Sequence, residues 1–521
     1  MLGTITIMQL IHGMSIEEKV GQLFLVGFNG KTYNASIDSL LSRNVGGFII
    51  YSRNVDDASQ VKRLIEEINR HNPSRAKIPL IFGIDQEGEF IARIRKGVFV
   101  PPNEMAIGAA GDPKLSYDTA YLTGKSLHDI GINMNFSPVL DVNSNPRNPI
   151  IGVRAFWSNP DTVIKMGMPY IKGLLDGGVL PVAKHFPGHG AAYTDSHIGL
   201  PRIKRNIEEL KKVDLAPFEM AVKEGIPAIM TAHIVVDAID PKYPATLSGK
   251  AMDMLRKDMG FSGTIISDDM LMGAISKNYS TPKAIKMALL AGVDMFIIWK
   301  NHEDIINKSI DYIVSEVKNG NIPEEVLDRA VKNVLTLKLK MERLEPKVQK
   351  IDPIKTKENI AKRAIYKKGD WTFKKGGKYL IFVPSRINTT LVQEGYKFKD
   401  LFTKEVQREG IETEEIFYNI KDSPYKYIKE INKYRKNGNI IFLLPDTMLN
   451  PHVIKFADLI IRKSPNSLII STSSPYDYLW MKKKPKNYIV TYSFDDVFIK
   501  VLLKFLNRTL DSVGKLPYNL R

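Results

Sequence analysis

The sequence predicts an α/β protein, an N-terminal (β/α)8 TIM-type barrel followed by a smaller α/β sandwich domain. Three observations carry that expectation. Short apolar runs alternate with longer amphipathic segments as far as about position 344, eight of those runs have the length and composition of strands, and most end in an ionisable residue. Alternation alone fits a doubly wound open sheet as well as a closed barrel. The strand ends separate the two. Asp85, Asp141, Lys184, His185, His233, Asp268 and Asp269 stand at the C-terminal ends of different runs. Closing the sheet gathers those ends around one pocket, whereas an open sheet strings them along an edge.

The expected strands cover 24–28, 47–51, 80–85, 133–142, 180–185, 228–233, 263–268 and 294–299. Ser15, with Glu18 three residues on, marks a capped helix over 15–24, and Pro160 opens another over 161–175. A chain of 521 residues needs more than one core. The barrel is expected over 1–345. Between 346 and 370 the apolar period gives way to Lys, Pro and Glu, the composition of a linker. Over 371–521 the alternation resumes, with strands expected at 379–383, 440–444, 468–471 and 488–491. No Gly-x-Gly-x-x-Gly follows the first of these, and Gly124-Lys125-Ser126 falls inside a helical pattern without the glycine that opens a phosphate loop.

Apolar content of 44% and charged content of 25% are those of a globular protein. The net charge of +17 belongs to the C-terminal third: residues 346–521 hold 34 Lys and Arg against 18 Asp and Glu. That excess, including Lys374-Lys375 and Lys482-Lys483-Lys484-Pro485-Lys486, reads as a solvated face, because no nucleic-acid motif accompanies it. The absence of cysteine excludes disulfide, thiolate-metal and cysteine-nucleophile chemistry, and it fits a reducing compartment. Residues 1–11 lack a signal-peptide pattern, and no run reaches the roughly 18 apolar residues of a membrane span. A cytoplasmic protein with no membrane or nucleic-acid partner is expected. Its oligomeric state is left open, with a homodimer compatible.

The chemistry concentrates in Lys184-His185-Phe186-Pro187-Gly188-His189-Gly190, with Asp195-Ser196-His197 following. Burying a lysine and histidines at a strand end costs desolvation unless something uses them. His185 and His189 have the offset of a helical metal pair, but Pro187-Gly188 breaks any helix between them, so no metal is expected. Asp268 is delivered to the pocket mouth by an apolar strand, and alternation points Asp269 away from it. An Asp195 carboxylate beside His197 fixes the ring tautomer and leaves the other nitrogen to move a proton. A Ser-His-Asp hydrolase is disfavoured, since Gly-x-Ser-x-Gly is missing. A carboxylate nucleophile with a histidine acid/base remains, and a rim of Asp, Lys and His suits a polyhydroxylated substrate. Gly188 and Gly190 are expected to act as a hinge that lets Asp195 and His197 approach Asp268.

With those residues in view, the chain resembles family-3 glycoside hydrolases of the β-N-acetylglucosaminidase branch. The likeness runs through Glu17 to Gln22, Asp85-Gln86-Glu87-Gly88, Ser137 to Val142, Asn148 to Arg154, Lys184 to Pro201, Pro244 to Ser248, Ser267 to Met270 and Gly514-Lys515-Leu516-Pro517. It implies Asp268 as nucleophile, His197 as acid/base oriented by Asp195, retention of configuration, and no cofactor. It also implies sugar contacts from Asp85, Arg93, Arg154, Lys184 and His185, with an N-acetylglucosamine-containing carbohydrate as the partner. Three departures stand out. Glu89-Phe90 replaces a common Gly-Arg, with a change of sugar subsite expected. Ala191-Ala192 replaces Asp-Thr on the His197 loop. Trp157 replaces a glycine, with an altered aglycone contact expected. Other readings keep the fold: a β-glucosidase or β-xylosidase, a phosphorylase or transglycosylase using the same residues, and a non-catalytic sugar-binding barrel.

Overall fold

The computed structural model describes residues 7–73, 78–299, 303–386, 401–436 and 438–518. Eight parallel strands close into a barrel: β1 (Phe24–Gly27), β2 (Gly47–Ile50), β3 (Ile81–Ile84), β4 (Met134–Asn135), β5 (Leu180–Phe186), β6 (Ala228–Thr231), β7 (Thr264–Asp269) and β8 (Met295–Ile298). They neighbour one another in chain order, and β8 returns to pair with β1. The register aligns Leu25 with Gly47 on one side and with Ile297 on the other. Strands β1, β2, β3, β6 and β8 are buried at every residue, as a parallel sheet must be when helices cover its outside and its own side chains fill its inside.

Local signals placed the helices well and their ends less well. The first expected helix is confined to Ile16–Gly21. Ser15 Oγ accepts from Glu18 N at 3.2 Å and the Glu18 carboxylate accepts from Ser15 N at 2.8 Å, so the capping box is complete. The helix Pro160–Asp176 begins on its proline, with Asn159 Oδ1 accepting from Thr162 N at 2.9 Å. Gly124-Lys125-Ser126 lies within the helix Pro113–His128.

The strand expected over 133–142 is the main departure in the barrel. Only Met134–Asn135 pairs regularly. Pro138 has no N–H to give the ladder. Lys184 N still donates to Pro138 O at 3.2 Å and Leu140 N to Lys184 O at 2.7 Å, so the chain runs beside β5 while Asp141 turns toward His185.

A second, six-stranded sheet comprises β9 (Tyr366–Lys368), β10 (Lys378–Arg386), β11 (Glu412–Asn419), β12 (Ile440–Leu444), β13 (Leu468–Ser471) and β14 (Asn487–Val490), in the order β9-β14-β13-β12-β10-β11. Only β9 is antiparallel to its neighbour. The segment 346–370, expected as a linker, is instead structured in its second half. Helix Pro353–Ala364 buries Thr356, Ile360, Ala361 and Ala364, and β9 forms the sheet edge. Its lysines dilute the apolar pattern in the sequence, yet the stripe is complete, and one of them, Lys357, turns in to pair with Asp495 at 2.6 Å.

The two sheets' regions meet in specific contacts. Asn103 N donates to Ser493 Oγ and Asn103 Nδ2 to Tyr492 O, each at 2.8 Å. Ser158 Oγ donates to Pro517 O at 2.6 Å, which ties the Gly514 to Pro517 segment back to the barrel. Two departures expected to reshape the substrate pocket lie in this contact instead. The Trp157 ring is buried 6.3 Å from that of Tyr492, and the Glu89 carboxylate accepts from Phe494 N at 2.6 Å. Both side chains follow the loops that carry them toward the second sheet. In the basic run, Lys484 Nζ donates to the carbonyls of Tyr478, Leu479 and Met481 at 2.6, 3.2 and 2.9 Å.

Burial, reinforced by the nearby Asp495 charge, pushes the Glu89 carboxyl up to about 7. Unfolded, a glutamate titrates near about 4.3. Between those values the folded protein holds a proton that the unfolded chain has released, so the group's favourable contribution is complete at low pH and is lost as pH rises through about 7. Glu89→Gln is therefore expected to melt above the parent protein at pH 8 and close to it near pH 4.5 in scanning calorimetry. An equal difference at both pH values would show that this carboxyl does not titrate in that interval.

Candidate active site

The C-terminal ends of the barrel strands surround a pocket lined by residues from the ends of the strands and the loops that follow them. Asp85, Arg93, Arg154, Lys184, His185, His197 and Asp268, all expected at the site, line it. Asp195 stands one layer back, behind His197. Every lining residue belongs to the barrel; the second sheet contributes none among the described residues.

One wall is a lattice of charges. Lys184 Nζ lies 2.8 Å from Asp85 Oδ1 and 2.5 Å from Glu87 Oε1. Arg154 grips Glu87 in two-pronged fashion, Nε to Oε2 at 2.9 Å and Nη2 to Oε1 at 3.0 Å, while Arg93 Nη2 donates to Asp85 Oδ2 at 3.1 Å. Burial alone would raise the Asp85 and Glu87 carboxyls. The cations outweigh it and hold both below the usual carboxylate range, Lys184 and Arg93 acting on Asp85, Arg154 and Lys184 on Glu87. Burial likewise opposes charge on Lys184, and the two carboxylates more than restore it.

His185 continues this wall. Its Nδ1 lies 2.6 Å from Asp141 Oδ2 and its Nε2 lies 3.4 Å from Arg154 Nη2. A carboxylate can only accept, so Nδ1 carries the proton and the Nε2 lone pair faces Arg154 and the cavity.

The opposite side carries Asp268 at the end of β7. Burial disfavours its charge, but His233, His185 and His197 together hold its carboxyl below the ordinary value, and Asp269 N donates to its Oδ1 at 2.8 Å. It is a half-buried carboxylate whose surroundings favour the ionised form. Asp269, expected to point away, also lines the cavity. Its Oδ1 accepts from Trp299 N at 2.9 Å and from Leu271 N at 3.2 Å. The register between β7 and β8 shifts at this point, which breaks the alternation the expectation relied on. Burial, with Asp268 beside it, pushes Asp269 up to about 7 despite those hydrogen bonds.

His197 Nδ1 lies 2.7 Å from Asp195 Oδ1, which also accepts from His197 N at 2.8 Å. Burial works against the Asp195 charge, and the hydrogen bonds and charge of His197 hold its carboxyl below the ordinary value. The tautomer is set: Nδ1–H faces Asp195 and Nε2 faces the cavity. The hinge expected at Gly188 and Gly190 is not what these glycines supply. Gly188 has φ +119°, and a Cβ on Gly190 would lie 1.8 Å from Val142 O. Gly190 is demanded by close packing against the segment after β4, and Gly188 by its positive φ and by Asp214, whose Cβ would lie 2.8 Å from an added Cβ. In the same place Asn145 Nδ2 donates to Ala192 O at 2.9 Å, so the Ala191-Ala192 departure contributes backbone, and its side chains are not needed.

Residues 15–337 match the glycosyl hydrolase family 3 N terminal domain. The chain belongs to glycosyl hydrolase family 3. Among the relatives of this family-3 chain, the beta-hexosaminidase A of Pseudoalteromonas piscicida is 35% identical over 335 residues, 60% of this chain and 56% of that protein. The chain thus matches little more than half the length of that relative. The beta-hexosaminidase of Alkalilimnicola ehrlichii is 34% identical over 290 residues, 54% of this chain and 81% of that protein. A solved family-3 beta-N-acetylglucosaminidase from a Paenibacillus species superimposes with a TM-score of 0.91 at 30% identity, covering 98% of this chain and 99% of that one.

Sequence reasoning on the family-3 site passed over Glu87, Asp141 and His189. Glu87 sits two residues after Asp85, the spacing of same-face residues on an extended chain, and that signal was available. Asp141 was legible only as a strand end, because its partners come from 44 and 48 residues away. Removing one charge from a buried lattice strands the others. Glu87→Gln is expected to lower the unfolding free energy by about 3 kcal/mol in urea denaturation. An unchanged midpoint would show that Arg154 and Lys184 do not depend on it.

Proposed function

We propose that the protein is a retaining exo-β-N-acetylglucosaminidase, releasing terminal non-reducing β-linked N-acetylglucosamine from an oligosaccharide or glycoconjugate. The observation that carries this reading is the pairing, in one cavity, of a half-buried carboxylate held toward its ionised form, Asp268, with a histidine whose rear nitrogen is committed to Asp195. The identity of the sugar rests on the end-to-end likeness to the Paenibacillus enzyme and on the beta-hexosaminidase relatives. Exo action is supported by the cavity floor. Phe136, Met230 and Ile297 come from the packed barrel interior, so the pocket is blind and accepts a chain end.

In the first step an Asp268 carboxylate oxygen attacks the anomeric carbon while the protonated His197 gives its Nε2 proton to the departing glycosidic oxygen. Asp195 stabilises the imidazolium before the transfer and keeps Nδ1 protonated after it. The C–O bond to the aglycone breaks and an ester to Asp268 forms. In the second step His197 Nε2 takes a proton from water, the hydroxide oxygen bonds to the anomeric carbon and Asp268 leaves as carboxylate. Two inversions retain the β configuration. Asp85, Arg93, Lys184, His185 and Arg154 hold the sugar hydroxyls, and their mutual pairing fixes where each spare donor and lone pair points.

Turnover of an aryl β-N-acetylglucosaminide is expected to exceed that of the aryl β-glucoside by at least roughly 100-fold, with no acceleration by phosphate. A sugar 1-phosphate product would make the protein a phosphorylase, and faster glucoside cleavage would make it a glucosidase. Asp268→Asn is expected to lose at least about 10³-fold in kcat at an unchanged melting temperature. Near-parental turnover in that variant removes the nucleophile assignment.

A further inference from the structure

His189 has no part in the chemistry above, yet it lines the cavity and is only 3% exposed. Its backbone is fixed at both ends. The N–H donates to Asp141 Oδ1 at 2.6 Å and the carbonyl accepts from Asn148 Nδ2 at 2.9 Å. The other oxygen of that same Asp141 holds the His185 ring. The ring of His189 reaches forward along the chain, and its Nε2 lies 3.2 Å from the Oγ of Ser196, the buried residue between Asp195 and His197. Its Nδ1 is buried with no hydrogen-bond partner.

The proton positions follow. Burial drives the His189 ring down to about 4, so it is neutral at physiological pH and carries one N–H. A buried N–H without an acceptor is rarer and costlier than a buried lone pair without a donor. The proton therefore sits on Nε2 and is donated to Ser196 Oγ, leaving the lone pair on Nδ1. Ser196 accepts that bond and keeps its own hydroxyl proton to donate, and its side chain also lines the cavity.

We propose that His189 and Ser196 form a clasp that positions the Asp195–His197 dyad, linking it through Asp141 to His185 on the opposite wall. Both are positioning residues, and the inference rests on the reading of His197 as the acid/base. The loop backbone has separate anchors on the other side. Gly273 N donates to His197 O at 3.2 Å, Ala274 N to Ser196 O at 3.1 Å and Lys277 Nζ to Ile198 O at 2.6 Å, so three successive carbonyls are held by the segment that follows the Asp268 strand. A Cβ on Gly273 would lie 2.6 Å from His197 O, which makes that approach specific to glycine. Removing the clasp leaves these anchors in place. The loop stays folded while the dyad loses the restraint that sets its aim.

The test compares Ser196→Ala, His189→Asn and the double variant on aryl β-N-acetylglucosaminides with a poor and a good leaving group, with His197→Ala in parallel. Protonation matters for a methoxyphenyl leaving group and little for a dinitrophenyl one. Ser196→Ala is expected to lose roughly tenfold in kcat/KM on the former and less than about twofold on the latter, with the fold kept and the melting temperature lowered by at most a few degrees for the stranded His189 N–H. The double variant is expected to lose no more than the worse single variant, because both remove one hydrogen bond. Equal losses on the two substrates, or losses that multiply in the double variant, overturn the clasp. If His197→Ala itself fails to distinguish the leaving groups, it is the acid/base reading that falls. Discrimination by His197→Ala but not by Ser196→Ala defeats the clasp alone.

Discussion

Lys184 places an ammonium group at the mouth of the barrel with only 3% of its side chain exposed, and the layout of the pocket follows from what that burial demands. A charge removed from water survives only if compensating charges reach it with good geometry. Asp85 and Glu87 supply them, and they in turn are buried and need Arg93 and Arg154. Those contacts draw the segments after β3, β4 and β5 into one rigid wall. Such a lattice contributes little net stability compared with an apolar core of the same volume. What it supplies is an array of donors and acceptors at fixed positions, which is what a surface needs to distinguish one arrangement of hydroxyls from another.

The same compensation reaches the reacting groups by a different route. At Asp268 it is His233, His185 and His197 that hold the carboxyl down against burial. Asp269, one residue on, is pushed the other way by burial and by its neighbour's charge. The two adjacent carboxyls thus have opposite tendencies, Asp268 toward the anion and Asp269 toward the acid.

The second sheet explains substitutions that have no reason within the barrel. Glu89 and Trp157 occupy loops that face the cavity at one end and the second sheet at the other, and their side chains take the latter course. The positive excess of residues 346–521 sits on a region that, among the described residues, contributes nothing to the lining of the pocket, and part of it caps helix-end carbonyls, as Lys484 does. No described helix is long and apolar enough to cross a membrane.

Much of this was legible beforehand, for definite reasons. Most barrel strands are short apolar runs ending in an ionisable residue, so periodicity located seven of the eight closely and the polar ends favoured closure over an open sheet. The eighth, near Asn135, was overextended because the run 133–142 outlasts the regular ladder, which Pro138 interrupts by withholding a donor. Asp268, His197, Asp195, Asp85, Arg93, Arg154, Lys184 and His185 could be picked out as candidates because they stand in compact motifs. Glu87, Asp141 and His189 were not assigned, since their importance lies in partners distant along the chain. The helix at Pro353–Ala364 was hidden by its own lysines.

By itself, then, the sequence determined the barrel, the residue types at its mouth and the chemistry they permit, because those depend on local periodicity and on side-chain identity. Tertiary structure alone decided which carboxylate meets which cation, that Asp269 turns inward at a register shift, and that Gly190 serves packing against Val142 instead of a hinge. Those outcomes depend on distances between strands, and no local pattern encodes a distance.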